Sequence, residues 1–361
     1  MRLIIDARML DHSGIGEYLS NILPGVLQRC AELRPVLLAA PKQQERARML
    51  GGGVAEVVPW AVAPLTAAEL RPPPVVALGD VWWSPHFNVP LLSAVPLVVT
   101  LHDLLPLDQA RLRGSWHKRL AVRTWLGAIR RRARRVICVS EFTRQEVVRL
   151  AGLEPARTNV VHLGVDSAWT AGVPSTGSET SPYLLFVGLV KPHKNLLGLL
   201  RAFDILAPNI PHRLIVVGRH TGLRDVDDAA LALASRLAPR VELLENVSRA
   251  RLAQLVVGAD LLVQPSFHEG FGLPPLEAMA AGTPVLAARA GAMPEICGEA
   301  ALYCDPHSSD DIAKRILELL DNPGLRRQMR ERGLERARQF TWLTCAQATS
   351  DILLAACAGE A

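Results

Sequence analysis

ADLLVQPSFHEGFGLPPLEAMAAGTPVLAA, residues 259–288, reads as a strand, a turn, a helix and a second strand. DLLVQPS (260–266) and PVLAA (284–288) are short β-rich apolar runs. Between them a Pro-Pro pair followed by LEAMAAG predicts a helix from near Pro274 to Gly282, because proline costs least at the first helical position. The turn holds two carboxylates, Glu269 and Glu277, on either side of a Gly-Phe-Gly segment. The amides of Gly270, Phe271, Gly272 and Leu273 would point ahead of the helix, where its dipole favours an anion. Two accounts of the acids stand at this point. Glu277 can be a first-turn acid worth about 0.3–1 kcal/mol on the dipole and Glu269 a solvated loop residue, or both can serve a bound ligand.

The same alternation extends in both directions. RLIIDA (2–7), PVLLAA (35–40), VWWSPHF (81–87), LVVTLHD (97–103), RVICVS (135–140) and NVVHLG (159–164) read as strands, with helices near 15–30, 117–134 and 143–151. Thr143 with Glu146 makes a capping box for the last of these. After residue 182 come strands at 183–188, 213–218, 241–245, 260–266, 284–288 and 301–304, with helical patterns between. Strict alternation predicts an α/β fold of parallel, doubly wound sheets.

TAGVPSTGSETSP (170–182) carries one sizeable apolar side chain, Val173, and marks a domain boundary. The expected division is an N-terminal domain over 1–170, a linker over 171–182 and a C-terminal domain over 183–342. Two such sheets bind ligands at the carboxyl ends of their strands, so a cleft between domains is the expected active site.

A chain of 361 residues has apolar content enough for two cores. Cys30, Cys138, Cys297, Cys304, Cys345 and Cys357 form no CxxC pair and sit mostly in apolar runs, which fits reduced thiols of a cytosolic protein. Neither a signal peptide nor an 18-residue apolar stretch is visible, so a cytoplasmic location is expected. The basicity is local. Residues 111–135 hold ten of the 40 Lys and Arg residues and no acid, which leaves the rest of the chain at −5 within a total of +5.

Several segments can carry chemistry. Gly14-Ile15-Gly16 opens a helix and can admit a phosphate or sugar close to backbone, or serve packing alone. A dinucleotide fingerprint is excluded because Leu19 stands where its third glycine belongs. His102 and Asp103 follow a strand, where the histidine can donate to a hydroxyl or phosphate and the acid can accept a proton or orient the ring; a structural histidine is the other account. Lys191 and Lys194 follow the strand-end Gly188, where two cations can neutralise a diphosphate. Asp225, Asp227 and Asp228 resemble a metal-holding D-x-D, but capping of a helix explains them more simply, and no metal site is expected. In the basic stretch Trp116, Lys118, Arg119, Arg123 and Trp125 suit an anionic membrane surface, against a solvated helix packed by its apolar side. No nucleic-acid motif accompanies the charge.

Together DARMLDHSGIGEYLSNIL, LHDLLP, VSEFTR, HLGVD, FVGLVKPHKNL, the 259–288 segment and the closing RQFTW resemble the retaining GT-B glycosyltransferases of family 4, particularly bacterial mannosyltransferases of surface polysaccharide or glycolipid assembly. The resemblance implies two Rossmann-like domains facing across a cleft, with a terminal helix at about 343–361 returning to the first. It implies a nucleotide-sugar donor, GDP-mannose first with UDP-sugars and dTDP-rhamnose as alternatives, and a saccharide or polyprenyl-diphosphate-linked acceptor. Matched by motif, Glu269 contacts donor-sugar hydroxyls, Glu277 the ribose, and the amides of Phe271, Gly272 and Leu273 the phosphate. Lys194 matches the diphosphate lysine, His102 the histidine near the donor sugar, and Gly16 the loop glycine; Asp103 and Gly14 lie on the acceptor side. Leu189 occupies the position of the family's arginine, which leaves Lys191 as a candidate substitute.

The expected reaction retains anomeric configuration without a metal or other cofactor, by same-face substitution through an oxocarbenium-like state. Within the expected cytoplasmic location, the basic Trp-bearing stretch suggests a lipid-linked acceptor at the inner face of the cytoplasmic membrane. An isomerase acting on UDP-N-acetylglucosamine and a non-catalytic sugar-nucleotide-binding protein are the competing classes.

Overall fold

The apolar runs become strands because parallel sheets covered on both faces bury every side chain. Leu3, Ile4 and Ile5 at one end of the chain and Leu261, Leu262 and Val263 far along it are all fully buried. The structure, a computed structural model, describes residues 1–64, 66–104, 116–166, 169, 181–221 and 226–359. It divides into two compact units, Met1–Gly164 with Thr341–Ala361, and Val165–Phe340. All of the expected linker but its last two positions lies outside the described residues.

The first unit is built on β1 (Leu3–Asp6), β2 (Val36–Ala39), β3 (Glu56–Pro59), β4 (Val81–Ser84), β5 (Leu97–Leu101), β6 (Ala133–Cys138) and β7 (Thr158–Val160). Their order across the sheet is β3-β2-β1-β4-β5-β6-β7, parallel throughout. Helices α1 (Ser13–Arg29), α2 (Gln44–Gly51), α3 (Trp116–Arg132) and α4 (Glu141–Ala151) connect them.

The second unit carries β8 (Tyr183–Val187), β9 (Arg213–Val217), β10 (Val241–Leu244), β11 (Leu261–Gln264), β12 (Val285–Ala288) and β13 (Ala301–Cys304), in the order β10-β9-β8-β11-β12-β13. Its helices are α5 (Leu196–Leu206), α6 (Asp228–Arg236), α7 (Arg249–Gly258), α8 (Leu273–Ala280), α9 (Met293–Cys297), α10 (Ser309–Leu320) and α11 (Pro323–Ala337). The last helix, α12 (Trp342–Ala358), belongs to the first unit and packs on α1, where Arg29 meets Asp351 at 2.7 Å.

Four local readings are corrected. The cap of α4 is Ser140, not Thr143: the Ser140 hydroxyl accepts from the Thr143 amide at 3.0 Å, which places Thr143 in the first turn. β4 stops at Ser84, because the Ser84 hydroxyl folds onto the carbonyls of His86 and Asn88 at 2.8 and 2.9 Å and turns the chain. β7 ends at Val160, short of the expected 164. β3 is an edge strand ending in proline with exposed ends, and so lacked the apolar run by which the others are read.

All six cysteines are free and buried. Among the described residues no helix is long and apolar enough to cross a membrane.

Candidate functional site

Each unit gathers polar side chains at the carboxyl ends of its strands. In the second, the chain leaves β8 at Val187 and makes a single tight turn, Pro192–Lys194, before α5. Asn195 takes a left-handed backbone (φ 56°), caps α5 through Gly198, and donates from Nδ2 to the carbonyls of Pro265 (2.9 Å) and Pro306 (2.7 Å). The Phe267 amide donates to the His193 carbonyl at 2.9 Å. The lysine loop is thereby fastened to the exit of β11.

That fastening brings Lys194 and Glu269 together. The ammonium donates to both carboxylate oxygens, at 2.6 Å to Oε1 and 2.8 Å to Oε2, with the side chains 17% and 10% exposed. Oε1 also accepts from the Ser266 hydroxyl (2.8 Å) and the Gln264 amide (3.2 Å). Burial pushes the carboxyl up, but Lys194, Ser266 and the nearby His193 outweigh it and hold Glu269 below the usual carboxylate range. Among the described residues Oε2 accepts only from Lys194, and two of the three ammonium protons are used. One lone-pair direction on Oε2 and one N–H remain for a ligand.

The backbone on either side is shaped by glycine. Gly291 holds φ at +58°, and an added Cβ there would meet the backbone of Glu269, whose carbonyl accepts from the Ala292 amide at 2.9 Å. Gly272 precedes α8 at φ 106° with Met293 packed against it, so no side chain fits. Leu273, Pro274 and Pro275 form the first turn, and the prolines remove two of its unpaired donors. An anion at this terminus therefore meets chiefly the amides of Gly272 and Leu273. Phe271 turns its ring inward, edge-on to Phe340 at 6.0 Å. Glu277 is the fifth helical residue, beyond the first turn where the dipole acts, so the dipole account of it weakens. Lys191 begins the tight turn and has no ion-pair partner among the described residues. Asp227 caps α6 through Ala230 at 3.1 Å, and Asp225 lies outside the described residues.

In the first unit His102 follows β5, beside the half-buried Asp103. Burial pulls its imidazole down to about 4, the Pro85 carbonyl opposing and His12 adding to the pull. The neutral ring lies 3.1 Å from that carbonyl at Nε2 and edge-on to Tyr18. A carbonyl only accepts, so Nε2 carries the proton and Nδ1 is an acceptor. The expectation that His102 donates to a ligand is reversed on this point. Gly14 and Gly16 lie inside the first turn of α1, and Gly16 gives its amide to the His12 carbonyl at 2.7 Å. A Cβ at Gly16 would strike the Leu10 carbonyl, whereas one at Gly14 meets open space.

Sequence reading missed a buried polar chain beside His102. Arg8 binds Asp6 (2.9 and 2.6 Å) and Glu69 (2.5 Å) and lies over the Trp60 ring. Glu69 accepts from the Asn88 amide at 2.8 Å, and Asn88 meets His86 Nδ1 at 2.5 Å. The only local signal was the D-x-R spacing at the exit of β1.

In α3, Leu126 and Ile129 are buried and Trp125 rests edge-on to Phe87 at 6.1 Å, so part of the proposed membrane face packs into the unit. Arg123 is exposed; the side chains of Trp116, Lys118 and Arg119 lie outside the described residues.

Residues 58–169 match the family model for Glycosyltransferase Family 4, and residues 173–336 that for Glycosyl transferases group 1. The chain belongs to the family 4 GT-B glycosyltransferases. It is 32% identical over 231 residues to O-antigen chain mannosyltransferase B of Escherichia coli, covering 60% of this chain and 59% of that one. It is 33% identical over 276 residues to D-inositol 3-phosphate glycosyltransferase 2 of Catenulispora acidiphila, covering 72% and 65%. The match thus spans roughly three fifths of these relatives' length. In fold this chain is similar to Anabaena HepE, whose crystal structure holds UDP-glucose, with a TM-score of 0.79 at 20% identity over 98% of this chain and 100% of that one.

Proposed function

We propose that this chain transfers a hexose, mannose from GDP-mannose first, to a saccharide or lipid-linked saccharide acceptor with retention of configuration and without a metal. The observation that carries the reading is the Lys194–Glu269 pair, which keeps one N–H and one carboxylate lone pair unspent at the strand ends. The N–H suits an oxygen of the donor diphosphate and the lone pair a donor-sugar hydroxyl. Lys191 and the amides of Gly272 and Leu273 add positive potential for the same diphosphate, and Glu277 accepts from the ribose.

In the reaction the anomeric C–O bond to the diphosphate breaks and the acceptor oxygen bonds to the same face. The acceptor's proton passes to the departing diphosphate oxygen, so atoms and charge balance without a protein nucleophile. The name of the E. coli relative supports mannose; that of the Catenulispora relative keeps an inositol phosphate acceptor open. Exposed Leu120 and Arg123 on α3 favour a lipid-linked acceptor at an anionic surface.

Thermal shift against GDP-mannose, UDP-glucose and dTDP-rhamnose tests the donor: at 100 times the dissociation constant, binding stabilises by about 2.7 kcal/mol. Glu277→Gln is expected to weaken that binding. Stabilisation by none of the three would sink the reading, and conversion of UDP-N-acetylglucosamine without acceptor would favour the isomerase.

A further inference from the structure

The strand order of the first sheet reverses at β1, with β2 on one side and β4 on the other. Open α/β sheets bind ligands outside the carboxyl ends of their strands at such a point. The chain leaving β1 supplies Asp6 and Arg8, and the chain leaving β4 supplies His86 and Asn88.

The buried chain fixes which way each group faces. Glu69 is a carboxylate held by Arg8 and can only accept, so the Asn88 atom 2.8 Å from it is the amide nitrogen. The Asn88 amide oxygen is then the atom 2.5 Å from His86 Nδ1. The Asn88 backbone amide also approaches Nδ1, at 3.4 Å, but an amide oxygen only accepts and two facing lone pairs would not close to 2.5 Å, so Nδ1 carries the ring's proton and Nε2 keeps a lone pair. Burial keeps the ring neutral, pulling it down to about 3 with Asn88 opposing and His102 and His12 adding to the pull. Nε2 has no hydrogen-bond partner among the described residues and keeps some exposure to solvent.

A neutral, acceptor-only nitrogen over the buried Asp6–Arg8–Glu69 cluster, formally −1, repels phosphate and suits a hydroxyl. His102 presents a second acceptor nitrogen, and its ring is tied to Pro85, the residue before His86. Two acceptor-only imidazoles on adjacent strand exits match a polyol.

We propose that His86 Nε2 accepts a hydrogen bond from a hydroxyl of the acceptor saccharide, with Asp6, Arg8, Glu69 and Asn88 as positioning residues that fix its tautomer. This rests on the glycosyl-transfer reading. The tautomer, however, is measurable in the free protein.

Nitrogen-15 correlation spectra of histidine-labelled protein should show His86 as the Nδ1–H form at pH 7. Octyl α-D-mannopyranoside should move Nε2, and GDP-mannose alone should not. Asn88→Ala should release the ring to the Nε2–H form and raise the KM for octyl mannoside about 3- to 10-fold, the cost of one neutral hydrogen bond. GDP-mannose affinity should stay unchanged. His86→Gln, which keeps an acceptor oxygen near Nε2, should retain the KM that His86→Ala loses, with thermal melts confirming that each variant folds. An Nε2–H tautomer in the free wild type overturns the proposal, as does a His86 response to donor alone or none to saturating octyl mannoside. A spectrum that no sugar nucleotide perturbs sinks the transferase reading and the acceptor role with it, and leaves the tautomer as a separate result.

Discussion

At the scale of single residues, Lys194 and Glu269 decide the most. Each was assigned a ligand contact from the sequence, and the structure adds that they bind one another. Removing one partner of a buried pair strands the other charge, which costs about 3–5 kcal/mol when fully buried; with the partial exposure here Glu269→Gln should cost about 2–3 kcal/mol. Transfer should fall on the order of 100-fold, as when one preorganised polar group is lost from an active site. Lys194→Met with Glu269→Gln should be less destabilised than the sum of the singles, since the double variant leaves no lone charge. Urea unfolding of the three variants measures this; strict additivity would mean the pair contributes nothing as a pair. The glutamate was legible because it sits eight positions before a second acid around a glycine turn. That it pairs with Lys194 was not legible, since 75 residues separate them.

At the scale of elements, the site depends on how loops are tied to strand ends. Asn195 joins the start of α5 to the exits of β11 and β13, its side-chain amide donating to a carbonyl at each. Asn195→Asp keeps the cap on Gly198 but replaces the donor with a carboxylate facing two carbonyls. It should cost about 2–4 kcal/mol, from two lost bonds and an uncompensated buried charge. Donor binding should weaken with it, because the Lys194 turn loses its anchor. Chemical denaturation and donor titration on one preparation check both, and a variant as stable as wild type would refute the anchoring role. The element pattern itself was legible, since fully buried parallel strands are continuous apolar runs. Boundaries differ where a side chain sets the limit of the element, as Ser84 does at the end of β4 and Ser140 at the start of α4.

At the scale of the whole molecule, pH tests the environment built around the imidazoles. In the unfolded chain His86 and His102 titrate near the ordinary value of about 6.5. In the folded chain both are depressed, to about 3 and about 4. Between those values the unfolded state binds protons that the folded state refuses, so stability rises with pH and is lost as pH falls from about 6.5 towards 4. Glu269 has the same sign at lower pH: its contribution is complete above the unfolded carboxylate value and disappears as pH falls through the lower folded one. Urea midpoints from pH 7.5 to 4.5 should decline, and the double variant His86→Gln, His102→Gln should flatten the decline; an unaltered slope would count against neutral imidazoles. By itself the sequence determined the alternation of strands and helices, the two Rossmann-like sheets and the glycosyltransferase family, because these follow from local periodicity and short motifs. Only the tertiary structure decided that Lys194 neutralises Glu269, that His102 is an acceptor, and that Arg8, Glu69 and Asn88 orient His86. Those facts depend on side chains far apart in the chain meeting where water is excluded, and there hydrogen-bond partners fix both charge and tautomer.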